Sequence, residues 1–466
     1  MTALETWELR AEFASRLSIM YGQEVPAYNT LVDVSTEVNE AYVAKHGAEA
    51  ERLGSISRVT AERHGAIRVG SPKEMAQVAR IFAAFGMYPV GFYDLRDASS
   101  SSVPVISTAF RPIDKDELAR NPFRVFTSML AAEDPRFFDS EVRAELAEFI
   151  GARNLFGEDL LTLADKATAS AGLDPDDAER LLDLATAAFE LSGEPVDYEW
   201  YKKLEAISAV ASDIGGVSTT HINHLTPRVL DIDDLYERMQ ARGITMIDEI
   251  QGPPNWGGPD VLLRQTSFRA LGENRVFRYA DGSTDEGELR VRFGEVEARG
   301  IALTVGGRDL YDRMVAESDA RLAAAPEGTT RVEAAAMVWA ENLPLTEKEL
   351  ALQGLAYFTY GLDEGQLRQK DLASPVTLAS LVEAGIAVPE PIVYEDFLPR
   401  SAAGIFQSNL TEEGSKDEEQ IGTNYDIHQM SKIVGTTVHD PNDLYQRQQE
   451  DSIAALASRL NVTITQ

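Results

Sequence analysis

Two stretches of the chain alternate between apolar and polar positions and then continue with helical spacing. Residues 64–86 begin with the alternation, and their helical part starts at the capping box SPKE (71–74) and ends at a glycine. Residues 219–243 repeat this order, with an aspartate as the helix cap. Both copies contain His-x-x-x-Arg-Val before the helix, so His64 and His224 occupy corresponding positions. The pattern predicts two strand–helix units that contribute one imidazole each to a paired site.

Strand-like segments follow each of the two helices. Apolar runs rich in β-branched and aromatic residues predict strands at 87–95, 103–110 and 122–130 in the first unit, and at 243–250, 261–271 and 289–303 in the second. Each unit therefore resembles a β-α-β-β-β arrangement. Two such units predict an α+β fold in which paired βαβββ modules form a central β-sheet or barrel.

Helical spacing dominates the rest of the chain. It predicts helices near 307–325, 330–341, 346–358 and 442–459. The predicted organisation is an N-terminal helical layer (1–55), a first βαβββ-like module (56–128), a helical insertion (129–210), a second βαβββ module (211–306) and a C-terminal region of helices and loops that closes the site (307–466).

Composition and charge narrow the classes of function. Asp and Glu outnumber Lys and Arg by 76 to 43, and the net charge of −33 opposes binding to nucleic acids or anionic membrane surfaces. The absence of cysteine excludes disulfides, thiolate–metal sites and cysteine nucleophiles, so any metal must use nitrogen and oxygen ligands. Because the acidic N-terminus is unlike a signal peptide and no run reaches about eighteen apolar residues, we expect a cytoplasmic protein. Composition does not give the oligomeric state.

The predicted strand 289–303 carries two carboxylates on its apolar face. Its odd positions run from leucine, valine and phenylalanine to Glu295, Glu297 and Arg299. A carboxylate on an inward face needs a partner, because burying an unpaired charge costs several kcal/mol. Arg299 can pair with Glu297 two residues away. Glu295 then has no cationic partner on its own strand and needs one from another element.

Three residues on three strands can form a metal site. The first strand of a βαβββ unit can lie beside its last, which would bring His224 next to Glu295, and pairing of the two units would add His64. Two imidazoles and one carboxylate form a facial triad that favours non-haem Fe(II), with Mn, Co and Zn as alternatives. A single histidine near a strand more often has a structural role. The recurrence of a histidine at the same place in both units argues that these two histidines bind a metal. His221 lies on the opposite face of its predicted strand from His224, which argues against His221 as a metal ligand.

Each unit also carries an arginine four residues after its histidine. At about 3.3 Å per residue, Arg68 lies about 13 Å along the strand from His64, on the same face. Arginine binds carboxylates with two hydrogen bonds, so a dicarboxylate or oxo acid would suit the site; an internal ion pair is the alternative. Pro227 directly precedes Arg228 and disturbs its strand, which makes Arg68 the preferred substrate ligand.

Four longer strings together resemble a known enzyme family. They are ERHGAIRVGS, DIGGVSTTHINHLTPRVLDID, RFGEVEARGIALT and YEDFLPRSAAGIFQSNL. Their combination is similar to the 2-oxoadipate dioxygenase/decarboxylase family, also called hydroxyglutarate synthases, within the vicinal oxygen chelate superfamily. The resemblance covers most of the chain. It implies an Fe(II) enzyme that converts 2-oxoadipate and O2 to 2-hydroxyglutarate and CO2 during lysine breakdown.

The same resemblance assigns roles to individual residues. The metal ligands that it implies are His64, His224 and Glu295, and the substrate-carboxylate ligand is Arg68. It also implies that the segment around Arg400 and Ser401 closes over the substrate. Glu297 is the alternative metal ligand if the strand register is shifted.

Two other classes of function are compatible with the same fold. One is a glyoxalase-like isomerase or an extradiol-type dioxygenase, and the other is a non-catalytic protein that binds a small molecule. Oxygen consumption coupled to CO2 release distinguishes the oxidative decarboxylase from both.

Overall fold

The structure is a computed structural model that describes residues 3–97, 103–270, 272–289, 292–326, 328–367, 374–399, 416 and 420–465. The strands are Leu4–Glu5 (β1), Arg63–Val69 (β2), Tyr88–Asp94 (β3), Val105–Arg111 (β4), Arg124–Leu130 (β5), Gly172–Leu173 (β6), Val196–Asp197 (β7), Ile222–Pro227 (β8), Leu263–Phe268 (β9), Glu273–Arg278 (β10), Thr284–Leu289 (β11), Gly294–Arg299 (β12), Phe358–Leu362 (β13), Val376–Thr377 (β14), Ala387–Pro391 (β15) and Ile464–Thr465 (β16).

Helices cover the sheets and connect them. They are Thr6–Glu24 (α1), Ala27–His46 (α2), Ile56–Ala61 (α3), Pro72–Ala84 (α4), Lys115–Arg120 (α5), Ser140–Ala152 (α6), Glu158–Ser170 (α7), Pro175–Ala187 (α8), Tyr198–Glu205 (α9), Ala209–Gly215 (α10), Ile232–Ala241 (α11), Val305–Ala324 (α12), Arg331–Asn342 (α13), Glu347–Leu352 (α14), Glu364–Leu367 (α15), Leu378–Glu383 (α16), Ile427–Val434 (α17) and Pro441–Leu460 (α18), with a 3-10 turn at Gly47–Glu51.

A five-stranded sheet joins the two predicted units. Its order is β3–β4–β5–β2–β8, so the first strand of the second unit lies beside the first strand of the first unit. β2 and β8 are antiparallel, with Ala66 opposite His224, and a register shift follows between Ala66 and Ile67. The pairing therefore places the two histidine-bearing strands side by side.

The last strand of the second unit completes the site. β12 pairs antiparallel with β9 in a separate two-stranded sheet. It also lies against the end of β8, where the backbone N–H of Val229 donates to the carbonyl oxygen of Glu297 at 2.8 Å. The expected neighbourhood of the first and last strands is thus present.

Alternation along β2 separates two hydrophobic clusters. Ile67 and Val69 belong to the cluster that contains α1, α4 and α7, whereas Ala66 belongs to the cluster that contains α13 and α18. Successive side chains of a strand point to opposite faces. His64 and Arg68 therefore share the Ala66 face, away from α1 and α4.

Several predicted elements differ from the observed ones. The predicted strand 243–250 forms only an isolated bridge, between Met246 and Phe268, and the hairpin of β10 and β11 was not predicted. The predicted helix 346–358 ends at Leu352, because Gly354 adopts a positive φ of 63° and the following chain forms β13. The division of the chain into five segments stays a prediction. Among the described residues, no helix combines the length and apolar character that crossing a membrane requires.

Candidate metal centre

Three buried side chains from β2, β8 and β12 converge at one point. His64, His224 and Glu295 each offer a ligand atom within 4.8 Å of the other two. Nε2 of His64 lies 3.5 Å from Oε1 of Glu295, and Nδ1 of His224 lies 3.5 Å from Oε2 of Glu295. The two imidazole rings meet edge to face at 5.2 Å. Across the residues that the structure describes, this is the one group of three or more such side chains that could hold a metal ion.

The electrostatics of this group favour a bound cation. Burial, reinforced by the Glu297 carboxylate, raises the pKa of Glu295 well above its usual value. Burial, followed by His64 and Arg68, lowers the pKa of His224 well below its usual value. Both ring nitrogens of His224 are buried and have no hydrogen-bond partner among the described residues. A divalent cation would favour the ionised carboxylate and could bind one of the unpartnered His224 nitrogens, so the donor set fits a transition metal.

Glu297 shares the strand face of Glu295 but has different partners. Its Oε2 lies 2.8 Å from Nδ1 of His64, while Arg299 donates to its two oxygens at 2.6 and 2.9 Å. Burial alone would raise the pKa of Glu297, but Arg299 and then His64 lower it to about 2. The predicted pairing of Glu297 with Arg299 is therefore observed. Glu295 faces both imidazoles, whereas Glu297 faces only one.

Arg68 is buried and lies on β2, four residues after His64 and on the same strand face. Its guanidinium donates to the carboxylate of Asp213 on α10. The same carboxylate also accepts a hydrogen bond from Nδ2 of Asn223 at 3.0 Å. The positive charge of Arg68 contributes, after burial and His64, to lowering the pKa of His224. Arg68 is thus in an internal ion pair on the strand that carries His64.

His221 lies near Asp213, the partner of Arg68, and is not among the three candidate metal ligands. Nε2 of His221 lies 3.4 Å from Oδ1 of Asp213 and 3.2 Å from Nδ2 of Asn223. Burial lowers the pKa of His221 to about 4, because the attraction of Asp213 only partly offsets the loss of solvation. The register shift between β2 and β8 breaks the strict alternation from which its position was predicted.

Arg228, the arginine of the second unit, has its partners elsewhere. Arg228 donates to Glu62 at 2.9 Å and to the carbonyl oxygen of Leu53 at 2.7 Å, which is the internal ion pair considered as the alternative for it. Arg400 and Ser401 lie outside the described residues.

Sequence reasoning missed three buried polar residues that support the candidate ligands. Asp213 and Asn223 hold Arg68 and His221, and Nε2 of Gln265 on β9 donates to Oε1 of Glu295. Asp213 and Asn223 lie within one of the four strings that carry the family resemblance, but no role was predicted from the sequence for either of them or for Gln265. The pairing of β9 with β12, which places Gln265 opposite Glu297, is what brings its amide to the site.

Comparisons with known proteins agree with the sequence resemblance. The family profile described as 2-oxoadipate dioxygenase/decarboxylase matches residues 13–409. The chain is 54% identical over 442 residues to a 2-oxoadipate dioxygenase/decarboxylase of Mycobacterium tuberculosis strain H37Rv, covering 95% of this chain and 96% of the relative. It is 41% identical to a protein of the same name from Pseudomonas putida strain KT2440, covering 97% of each.

A solved structure supports the same relationship. The crystal structure of the hydroxyglutarate synthase from Pseudomonas putida in complex with 2-oxoadipate superposes with a TM-score of 0.83 at 37% identity, covering 99% of each chain. Both the sequence and the whole fold therefore match, which confirms the resemblance inferred from the four strings. The chain belongs to the 2-oxoadipate dioxygenase/decarboxylase family.

Proposed function

We propose that this protein is an Fe(II)-dependent dioxygenase/decarboxylase that converts 2-oxoadipate and O2 to 2-hydroxyglutarate and CO2. The observation that carries the proposal is the convergence of His64, His224 and Glu295, with the buried Arg68 on the strand that carries His64. Relatives at 54% and 41% identity bear the name 2-oxoadipate dioxygenase/decarboxylase, and a structural relative binds 2-oxoadipate, which supports the substrate.

The ligand set favours the metal that we propose. Two imidazoles and one carboxylate leave coordination positions open, and Fe(II) in such a site supplies binding and activation of O2 and of a chelating 2-oxo acid. The overall reaction balances without an external reductant, because both oxygen atoms of O2 are retained in 2-hydroxyglutarate and CO2. No separate oxo-acid cosubstrate is required, since 2-oxoadipate carries its own 2-oxo group.

The buried residues would bind and orient the substrate. Arg68 would hold the distal carboxylate by charge-assisted hydrogen bonds, while the Asp213 carboxylate keeps the guanidinium in place. His64, Arg68 and Glu295 are all buried, so the reacting end of the substrate would be shielded from water. The proposed roles of Arg400 and Ser401 in covering the substrate rest on the sequence resemblance. A place in lysine breakdown and a cytoplasmic location likewise remain predictions from sequence.

An oxygen-electrode assay across metals and substrates tests the proposal. The metal-free protein would be reloaded separately with Fe(II), Mn(II), Co(II) or Zn(II) and supplied with 2-oxoadipate. We expect that only the Fe(II) form consumes O2 and releases CO2 and 2-hydroxyglutarate in equal amounts. Isomerisation without O2 uptake would indicate a glyoxalase-like enzyme. Tight binding of 2-oxoadipate without turnover in any metal form would indicate a binding protein.

A further inference from the structure

We propose that Glu297 is a positioning residue that holds the metal ligand His64 in one orientation and one tautomer. The inference rests on the proposed metal site but adds a residue that does not itself converge on that site. Oε2 of Glu297 lies 2.8 Å from Nδ1 of His64, on the side of the ring opposite to the candidate metal position. The other ring nitrogen, Nε2, faces Glu295 at 3.5 Å.

The charge of Glu297 decides where the proton of His64 lies. An ionised carboxylate can only accept hydrogen bonds, so its 2.8 Å approach favours the tautomer with the hydrogen on Nδ1. Nε2 then presents its lone pair to Glu295 and His224, as ligation requires. A carboxylate behind a metal-bound histidine fixes ring orientation and raises ligand basicity, and losing it typically weakens metal affinity about 10- to 100-fold.

A set of buried arginines keeps Glu297 ionised. Arg299 binds both of its oxygens, and Arg124 lies 3.3 Å from Oε1. Arg299 also donates to the backbone carbonyl oxygens of Tyr394 and Asp396, at 2.8 and 3.0 Å. The guanidinium therefore fixes the position of Glu297 relative to the segment that follows β15. Glu297 cannot turn away from His64 without breaking this arrangement.

An aromatic side chain of the same segment holds His64 from another side. The ring of Phe397 meets the His64 imidazole edge to face at 5.0 Å, and the Arg299 guanidinium lies 5.5 Å from the Phe397 ring centroid. His64 is thus confined by Glu297, Glu295 and Phe397. Confinement on three sides is what a precisely oriented ligand needs, because small errors in ligand direction weaken coordination.

Glu62 offers a matched control in the same ionic network. It is as fully buried as Glu297, and it pairs with Arg124 at 2.8 Å and with Arg228 at 2.9 Å. Its ion pairs are with arginines rather than with a candidate metal ligand. Glu62→Gln and Glu297→Gln therefore remove one buried negative charge each from the same set of arginines, but only Glu297→Gln removes the charge behind His64.

The experiment measures Co(II) binding to the full-length protein. Dissociation constants would be obtained by competition with a chelator for wild type, Glu297→Gln, Glu297→Asp and Glu62→Gln, and the visible absorption of bound Co(II) would report ligand geometry. We expect Glu297→Gln to raise the Co(II) Kd about 10- to 100-fold and to alter the absorption spectrum. Glu62→Gln should match the wild type in both readouts.

Glu297→Asp keeps the test informative if Glu297→Gln does not fold. It retains the charge beside Arg299 but withdraws the carboxylate from Nδ1 by one methylene, so we expect a weakened Kd here too. Wild-type Co(II) affinity and spectrum in a folded Glu297 variant, or equal weakening in Glu62→Gln, would overturn the positioning role alone. Absence of Co(II) binding by the wild-type protein would instead overturn the proposed metal site itself.

Discussion

Replacing Arg68 by methionine tests whether this arginine recognises the distal carboxylate of the substrate. The substitution keeps an unbranched side chain of similar length and removes the charge. In the structure the guanidinium is buried and donates to Asp213. The variant removes this partner, while Nδ2 of Asn223 still donates to Asp213 at 3.0 Å and Nε2 of His221 lies 3.4 Å from it. Breaking a buried ion pair on one side destabilises a protein by about 3–5 kcal/mol.

The substrate effect must therefore be separated from the stability effect. Asp213→Asn combined with Arg68→Met removes both charges and relieves most of the destabilisation, so the double variant serves as the folded comparison. Loss of one charge-assisted contact to the substrate costs about 1.5–3 kcal/mol, which corresponds to roughly ten- to hundredfold in kcat/KM. We expect this loss for 2-oxoadipate in both the single and the double variant.

The assay compares two substrates of equal chain length. Rates of O2 uptake would be measured with 2-oxoadipate and with 2-oxohexanoate, which lacks the distal carboxylate, and iron content would be determined for each variant. We expect full iron content, a large loss of kcat/KM on 2-oxoadipate and a much smaller loss on 2-oxohexanoate. Equal losses on both acids would mean that Arg68 has a structural role, and loss of iron would mean that it supports the metal centre.

Three further predictions concern the metal, the pH dependence and the stability. His64→Ala, His224→Ala and Glu295→Gln should each abolish stoichiometric iron binding, whereas His221→Ala should keep it; normal iron content in His64→Ala or His224→Ala would refute the proposed ligand set. In the metal-free protein, His221 has a pKa of 6.5 in the unfolded chain but of about 4 in the folded protein. As the pH falls below 6.5, protonation of His221 therefore stabilises the unfolded chain and lowers the free energy of unfolding. Its contribution to the free energy of unfolding should drop by about 2 kcal/mol between pH 7 and pH 5, and parallel urea-unfolding profiles for wild type and His221→Gln would contradict this. Arg111→Met should lower the free energy of unfolding by about 3–5 kcal/mol, because Arg111 donates to the buried Asp396 carboxylate at 2.8 and 3.0 Å and the variant leaves that charge without its arginine. Chemical denaturation measures the change.

The sequence alone determined which residues share a strand face. Period-2 alternation put His64 and Arg68 together on β2, and Glu295, Glu297 and Arg299 together on β12, and the structure has both groupings. The recurrence of His-x-x-x-Arg-Val identified the two histidines that converge. These features were predictable because they depend on local geometry, which repeats at a fixed interval along the chain. The four longer strings were sufficient to identify the family.

Only the tertiary structure decided which partner each of these residues has. Glu295 and Glu297 lie on one face of one strand, so no pattern separates them. The packing of β12 against β8 puts Glu295 near both imidazoles and Glu297 near only one. Arg68 is paired with Asp213, which lies 145 residues away on a separate helix. Arg228 likewise pairs with Glu62, 166 residues away. Such contacts depend on how separate elements pack in three dimensions, and a pattern confined to neighbouring positions of one chain does not contain that information.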